Sequence, residues 1–199
     1  MQDLSIDIKT MPQAFGGYHL LLVITCNQTN FTIAVPLRDR QAQAVAEALV
    51  YRMIYLFGPP RQIICDEAAE FTSAIIHTIL TIINCRLKLI SPYNHGSSKC
   101  KRQIKTISEI IEKHLWDKGQ MWPLFATTAA YAMNKFTPEA LNGFFPFELV
   151  IVREPPDLTS PSFPKIETIP VPYCEYYNLL MARAQMIGRM LIEWRTQQA

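Results

Sequence analysis

The sequence predicts an α/β domain with a mixed five-stranded sheet, helices on its faces, and a helical C-terminal extension. Three observations predict this class. Strand-like segments near the N-terminus are joined by short turns, as in an antiparallel meander. After residue 40 the apolar side chains change to helical spacing, and two further short strands each follow a helix. The 199 residues, of which 49% are hydrophobic, are enough to bury one sizeable core.

The first 40 residues predict three strands joined by short turns. Residues 2–8 alternate polar and apolar side chains, and Asp7 lies on the face opposite to the apolar ones. The apolar segments 18–25 and 31–37 predict the second and third strands, because glycine or asparagine turns precede each of them. Short turns join antiparallel strands, so we expect these three strands to form a meander.

Helices and strands alternate in the middle of the chain. Helical spacing and cap residues predict helices at 41–56, from Thr72 or Ser73 to Ile83, at about 99–115 and at 121–135, and short apolar runs predict strands at 62–65 and 86–90. A proline-rich stretch at 155–172 follows, and a last helix is predicted at 173–199. We therefore expect a core domain over residues 1–154, a proline-rich linker and a C-terminal helix.

Charge and cysteine usage narrow the class of protein. The formal net charge of +2 is too small to indicate a nucleic-acid partner, but six Lys or Arg and no carboxylate lie between Arg86 and Lys105. The five cysteines form no CxxC pair, which favours a reduced, intracellular protein over a disulfide-stabilised one. No apolar run is long enough to cross a membrane, and the N-terminus lacks the layout of a signal peptide, so we expect no membrane partner.

Two aspartates are candidates for a metal site. Asp7 lies in the middle of the first strand, and Asp66 directly follows a short apolar strand, where open α/β sheets place functional groups. Carboxylates from adjacent strands could hold Mg²⁺ or Mn²⁺ between them, because these ions prefer oxygen ligands. A pair of such ions is the recurrent device for displacement at phosphorus. Taken singly, an aspartate after a strand is more often a turn or helix cap.

Four segments of the sequence follow one another in a characteristic order: LSIDIKTMP, FGPPRQIICDEAAEFTS, SPYNHGSSKCKRQIKTI and GFFPFELVIVREPPD. From Asp3 to about Asp157, the chain resembles the catalytic core of retroviral-type integrases, in particular those of gypsy-group LTR retrotransposons. The resemblance implies a ribonuclease H-like fold, a two-metal site, and the cutting and joining of DNA phosphodiesters, with Asp7 and Asp66 as the first two catalytic, metal-binding acids. It also implies DNA as a partner, a homodimer or higher multimer, and a nuclear location for a functional protein.

The third acid of the family is missing from this sequence. In the family, a Glu begins the helix after the loop and an Arg follows it. The match of Asn94 to Ser97 with the family's loop puts Lys101 where that Glu belongs, followed by Arg102. The next carboxylate, Glu109, lies about 12 Å further along the helix. Because a protonated ammonium has no lone pair for a metal, we predict an inactive or severely impaired enzyme that holds at most one ion.

The same loop and helix predict DNA-binding residues. The candidates are Tyr93, Asn94, His95 and Ser97 in the loop and Lys99, Arg102 and Lys105 on the helix. Side chains of these types contact phosphate oxygens without reading the base sequence. The apolar residues Ile104, Ile107, Ile111 and Leu115 predict the face of the helix that packs on the core. The alternative is that the charged face of the helix is only solvated.

Several residues with reactive or aromatic side chains are expected to be structural. Cys65 and Cys85 flank strands and are interpreted as small core residues. Trp116 and Trp122 lie on either side of a turn at Gly119. We expect these two tryptophans to pack against the core rather than to stack on bases.

Three functions remain open from the sequence. The first is the integrase core of a decayed retroelement copy, which keeps the fold and part of the DNA affinity without strand transfer. The second is a non-catalytic DNA-binding or assembly module retained by a host. The third is an active nuclease of the same fold in which Glu70, close to Asp66 in sequence, acts as the substitute acid. A structural role for Glu70 is the alternative to the third function.

Overall fold

The structure, a computed structural model, describes residues 1–90, 98–114, 119–138, 141–153, 155, 181, 182, 185, 186, 189 and 196. The chain divides into two compact units, Met1–Asn134 and Lys135–Ala199. The first unit contains the sheet and the candidate site. The domain limits at 154 and 172 stay a prediction, and most of the predicted C-terminal helix lies outside the described residues.

A mixed sheet of five strands forms the centre of the first unit. The strands are β1 (Asp3–Thr10), β2 (Leu20–Cys26), β3 (Thr32–Leu37), β4 (Gln62–Asp66) and β5 (Arg86–Ile90). Their order across the sheet is β3-β2-β1-β4-β5. β1, β2 and β3 pair antiparallel, whereas β4 pairs parallel with β1 and with β5. The predicted mixed sheet and its antiparallel meander are therefore confirmed.

Helices occupy the connections after the meander. They are α1 (Ala42–Leu49), α2 (Tyr55–Phe57), α3 (Ala74–Ile82), α4 (Ser98–His114) and α5 (Trp122–Asn134). Short 3₁₀ turns lie at Phe15–Gly17 and Gly119–Met121. In the second unit, α6 (Pro146–Ile151) begins with a proline, which suits a position that needs no backbone donor. None of the helices in the described part of the chain is long and apolar enough to cross a membrane.

The single regular helix predicted at 41–56 is wrong in its second half. Residues Val50–Ile54 form a π-helical turn between α1 and α2. Val45, Leu49 and Met53 are all buried although they are spaced four residues apart, more than the 3.6 residues of one α-helical turn. The wider turn keeps Met53 on the buried side. It also rotates the residues that follow, so the apolar side chain of Leu56 is 66% exposed.

α4 and α5 cover one face of the sheet. The apolar cluster between them and the sheet contains Met11, Ala14, Leu21, Val23, Ala34, Cys100, Ile104, Ile107, Ile111, Trp122, Ala126, Ala129 and Ala130. The predicted stripe on α4 is thus confirmed for its three isoleucines, while Leu115 lies outside the described residues. α1 and α3 pack against each other and contact the edge strands β3 and β5. The predicted core positions of Cys65 and Cys85 are also confirmed, since both thiols are buried.

Two polar contacts fasten α4 and α5 to the sheet. The Lys9 ammonium, on β1, donates to the Ser108 hydroxyl of α4 at 2.7 Å. At the end of α5, Asn134 accepts the Thr32 backbone N–H at 2.7 Å and donates to the Thr32 carbonyl at 2.8 Å. These bonds satisfy buried polar groups and fix how the two helices lie on the sheet. Because side chains alternate along a strand, Asp7 lies on the same face as Lys9, toward α4.

Candidate functional site

The two aspartates singled out by the sequence lie on neighbouring strands at the same level of the sheet. β1 and β4 are parallel, and Ser5 pairs with Ile64. Asp7 and Asp66 each lie two residues beyond that pair along their strands, so their side chains point to the same face. Neighbouring strands lie about 4.8 Å apart. The structure therefore brings two half-buried carboxylates together on one face of the sheet.

Asp7 is surrounded by opposing electrostatic influences. Burial raises the pKa of the Asp7 carboxyl above its usual value, and the nearby charge of Asp66 raises it further. The Ile8 backbone N–H, which donates to Asp7 Oδ1 at 2.9 Å, lowers this pKa, as do the positive charges of Lys101 and Arg40. Asp7 thus lies within electrostatic range of one carboxylate and two cations, carried by β4, α4 and the segment before α1.

The second aspartate ends β4, and Glu70 lies in the turn that follows. Asp66 Oδ1 accepts the Ala68 backbone N–H at 3.3 Å, which fixes the carboxylate at the strand end. Glu70 is only 8% exposed, and its Oε1 lies 3.2 Å from Arg40 Nη1. This ion pair supports the structural interpretation of Glu70. Among the residues that the structure describes, no group of three or more His, Cys, Asp or Glu could hold a metal ion, so Asp7, Asp66 and Glu70 do not form a ligand set.

α4 presents Lys101 to the site and contains no carboxylate in its first turn. Lys101 is exposed, and its charge acts on the Asp7 carboxyl. Glu109, two turns further on, lies 3.9 Å from the Lys105 ammonium. The described part of α4 therefore offers the two aspartates a cation and no third acid.

The predicted DNA-binding residues divide into three groups. Arg102 and Lys105 are exposed on α4. Lys99 is also exposed, but its ammonium donates to the Asn27 carbonyl at 2.8 Å, so it helps to fasten the start of α4 to the turn after β2. The loop residues Tyr93, Asn94, His95 and Ser97 lie outside the described residues. The DNA-binding role of all seven stays a prediction.

Comparison with known families supports the predicted fold. The family model of the integrase core domain matches residues 1–95, which include β1 to β5 and both aspartates. Residues 1–95 thus match the integrase core family. The predicted resemblance to retroviral-type integrase cores is confirmed.

Curated relatives of this chain are polyproteins and an integrase-like protein. The chain is 22% identical over 147 residues to the retrovirus-related Pol polyprotein from transposon 412 of Drosophila melanogaster, covering 73% of this chain and 12% of the relative. It is 29% identical over 152 residues to the Gag-Pol polyprotein of avian reticuloendotheliosis virus, covering 76% and 13%. It is 26% identical over 113 residues to gypsy retrotransposon integrase-like protein 1 of Macaca fascicularis, covering 57% and 22%. The chain thus spans less than a quarter of each relative.

Solved structures confirm the predicted ribonuclease H-like fold. The catalytic core of HTLV-2 integrase, in complex with magnesium in a trimeric form, has a TM-score of 0.62 at 14% identity, covering 75% of this chain and 95% of that one. The catalytic core of BIV integrase has a TM-score of 0.63 at 14% identity, covering 76% and 94%. A simian T-cell lymphotropic virus intasome, in complex with the PP2A regulatory subunit B56 gamma, has a TM-score of 0.66 at 18% identity, covering 85% and 59%.

The residues of this site do not fit a pair of divalent ions. The site offers two carboxylates, Asp7 and Asp66, and two cations, Lys101 and Arg40, act on Asp7. The buried Cys65 thiol lies nearby, but burial and the charges of Asp66, Asp7 and Glu70 raise its pKa to about 12, so it stays protonated and does not offer a thiolate ligand. Asp7 and Asp66 are the residues that could contact a single ion, against the repulsion of the neighbouring cations.

Arg40 is the residue of the site that sequence analysis missed. It lies in the exposed segment between β3 and α1, together with Arg38. The two arginines differ in their partners: Arg38 lies over the Tyr18 ring, 4.9 Å from its centroid, whereas Arg40 pairs with Glu70. No local pattern distinguishes them, because each partner comes from a distant part of the chain.

The raised pKa of Asp7 predicts that this aspartate destabilises the fold once it is ionised. The folded state binds the Asp7 proton more tightly than the unfolded state does. Asp7 therefore costs no stability below its pKa in the unfolded chain, near 3.8, and costs the full amount above its pKa in the folded protein. We expect Asp7→Asn, which keeps the Oδ1 acceptor for Ile8, to raise the melting temperature at pH 7 and to leave it unchanged at pH 3.

The matched control for this prediction is Asp39→Asn. Asp39 is exposed and its Oδ1 also accepts a backbone N–H, from Gln41, at 2.9 Å. We expect this variant to melt within about 1 °C of the unmodified protein at pH 7, because exposed substitutions usually change stability by less than about 0.5 kcal/mol. A lower melting temperature for Asp7→Asn at pH 7 would contradict the prediction.

Proposed function

We propose that this chain is the integrase core domain of a retroelement polyprotein that binds DNA but lacks strand transfer, or retains it at a severely reduced rate. The observation that carries the proposal is the presence of Lys101, on α4, within electrostatic range of Asp7. Lys101 stands where the family carries its third acid. At position 101 the metal ligand is therefore lost and the sign of the charge is reversed.

The effect on metal binding follows from the charges. Three carboxylates would balance most of the +4 charge of two divalent ions. Replacing the third carboxylate by a lysine makes the local charge more positive by two units and removes a metal ligand. At a few Å and an effective dielectric near 20, each unit charge contributes roughly several kcal/mol. We infer that at most one Mg²⁺ or Mn²⁺ binds between Asp7 and Asp66, and that it binds weakly.

DNA binding depends on a different set of groups. Lys101, Arg102 and Lys105 are exposed on α4, and cations of this kind contact phosphates without regard to sequence. The binding should therefore be non-specific and should weaken as salt rises. Because relatives of the same fold are described as a trimeric form and as an intasome, we further propose that this integrase core works as a homodimer or a higher multimer.

Direct measurement of binding and cutting tests this proposal. Binding to a branched DNA would be followed by fluorescence anisotropy between about 50 and 200 mM salt, where three phosphate contacts predict a loss of affinity of about 40-fold. The same DNA would be incubated with the protein and Mg²⁺ or Mn²⁺. We expect binding without cutting above the background of an Asp7→Asn, Asp66→Asn double variant. Cutting by the unmodified chain would contradict the proposed inactivity, and failure to bind would contradict the DNA-binding role.

Substitutions on α4 give the matched control for binding. The double variant Arg102→Gln, Lys105→Gln should reduce the slope of log affinity against log salt by about 1.8. Lys113→Gln removes an exposed cation from the same helix, about 16 Å along the helix axis from Arg102. We expect that variant to bind DNA within about twofold of the unmodified protein, since it lies three turns beyond Arg102 along the helix.

A further inference from the structure

Arg40 and Glu70 form a charged pair next to the two aspartates. Glu70 is only 8% exposed, and a buried carboxylate is strongly disfavoured unless a positive group accompanies it. Arg40 provides that group, with its Nη1 atom 3.2 Å from Glu70 Oε1, while its side chain remains 48% exposed. The burial of Glu70 fixes one end of the pair, so the guanidinium is held in one place rather than moving freely on the surface.

The fixed guanidinium lies close enough to Asp7 for its charge to act there. Lys101 acts on Asp7 as well, but it approaches from α4, whereas Arg40 approaches from the segment between β3 and α1. A guanidinium carries five N–H donors, so a single contact with Glu70 leaves donors for other groups. Asp7 thus lies within electrostatic range of two cations carried by different parts of the chain.

The balance of charge in this group is close to neutral. The three carboxylates of Asp7, Asp66 and Glu70 and the two cations of Arg40 and Lys101 leave one net negative charge. A glutamate at position 101 would leave three. A site with three net negative charges attracts divalent ions strongly, and one with a single net negative charge attracts them far less.

We propose that Arg40, held by Glu70, and Lys101 together supply from within the protein the positive charge that divalent ions supply in a two-metal site. This integrase core then keeps its two aspartates side by side, and approaches DNA phosphates, without a divalent ion. The inference rests on the proposed DNA binding for its DNA measurement. Its metal measurement is independent of DNA.

The metal measurement uses Mn²⁺ alone as the probe, titrated into the full chain by isothermal titration calorimetry. We expect no binding by the unmodified chain below about 1 mM, a gain in affinity of about tenfold for Arg40→Gln or Lys101→Gln, and about a hundredfold gain for the double variant. Equal Mn²⁺ affinity in the unmodified chain and in the double variant would overturn the proposal.

Three control variants separate charge from structure. Arg40→Lys keeps the positive charge and should bind Mn²⁺ as weakly as the unmodified chain. Arg40→Gln combined with Glu70→Gln removes one charge of each sign, so its gain in Mn²⁺ affinity should be smaller than that of Arg40→Gln alone. Arg86→Gln removes an exposed cation at the level of Gln62, about 13 Å along the strands from Asp66, and should have no effect. If Arg40→Gln alone fails to fold, as a circular dichroism melt would reveal, Lys101→Gln and the charge-balanced pair still decide the outcome.

The DNA measurement compares affinity for branched DNA in EDTA and in Mg²⁺ at constant ionic strength. We expect the two affinities to agree within about twofold, because the cations that face the aspartates belong to the protein. Loss of binding in EDTA, with binding intact in Mg²⁺, would overturn the inference. Absence of binding in both conditions would instead overturn the proposed function, and the Mn²⁺ titration would still test the charge balance.

Discussion

Replacing Lys101 by glutamate is expected to give the chain metal-dependent cutting and joining of branched DNA. The substitution changes the net charge of the group around Asp7 and Asp66 by two units and adds a carboxylate ligand at the start of α4. We expect a rate gain on the order of 10³-fold, since about 4 kcal/mol of electrostatic stabilisation corresponds to three factors of ten. The measurement is a gel assay of branched DNA with Mg²⁺ or Mn²⁺, run beside the unmodified chain.

The fold should tolerate this substitution. Lys101 is exposed in the first turns of α4, where a negative charge interacts favourably with the helix dipole. Lys101→Gln is the matched control: it removes the positive charge without adding a carboxylate, so it should remain inactive. Comparable cutting by the unmodified chain and by Lys101→Glu would contradict the prediction that the third acid is missing. If neither of these two proteins cuts DNA but both bind it, a module retained for DNA binding would be favoured.

The placement of the aspartates could be predicted because it depends on local patterns. Alternation along β1 puts Asp7 on the face opposite to Leu4, Ile6 and Ile8, and the apolar run before Asp66 indicates a strand end. The first of these steps uses a period of two residues and the second a strand boundary, and both are visible in a single sequence. The parallel pairing of the two strands, which brings the carboxylates level, joins distant segments and comes from the structure.

Contacts between distant segments could not be predicted in the same way. Arg40 and Glu70 are brought together by the packing of the segment before α1 on the turn after β4, and neither segment has a periodic pattern. Lys99 illustrates the same limit, since its ammonium reaches the Asn27 carbonyl, 72 residues away in the chain. The π-helical turn at Val50–Ile54 also follows from packing, because it keeps Met53 buried at the expense of regular helical geometry.

Replacing Trp122 by alanine is expected to destabilise the fold by about 3–5 kcal/mol. Trp122 is 1% exposed and lies in the apolar cluster between α4, α5 and the sheet. The packing role predicted for it is confirmed. Its Nε1–H also donates to the Pro12 carbonyl at 2.8 Å, so truncation leaves both a cavity and an unpaired carbonyl. A thermal melt should show a fall of roughly 6–20 °C.

Two further substitutions separate the parts of this effect. Trp122→Phe keeps most of the apolar volume but removes the N–H donor, so it should cost about 1–3 kcal/mol. Leu124→Ala truncates a large side chain on the same helix that is 68% exposed, and it should change stability by less than about 0.5 kcal/mol. An equal loss in Trp122→Ala and Leu124→Ala would contradict the buried position of the indole.

Loss of the Trp122 indole is expected to disturb the position of Asp7, because the indole contacts the chain just after β1. Pro12 lies two residues after the end of β1, the strand that carries Asp7, and its neighbour Met11 belongs to the same apolar cluster. The indole therefore fastens the chain where it leaves the strand, and α4, which carries Lys101, packs in that cluster as well. In the Lys101→Glu background, we expect Trp122→Phe to lower the rate of DNA cutting more than it lowers DNA affinity, because a shift of about 1 Å between catalytic groups can reduce a rate about a hundredfold.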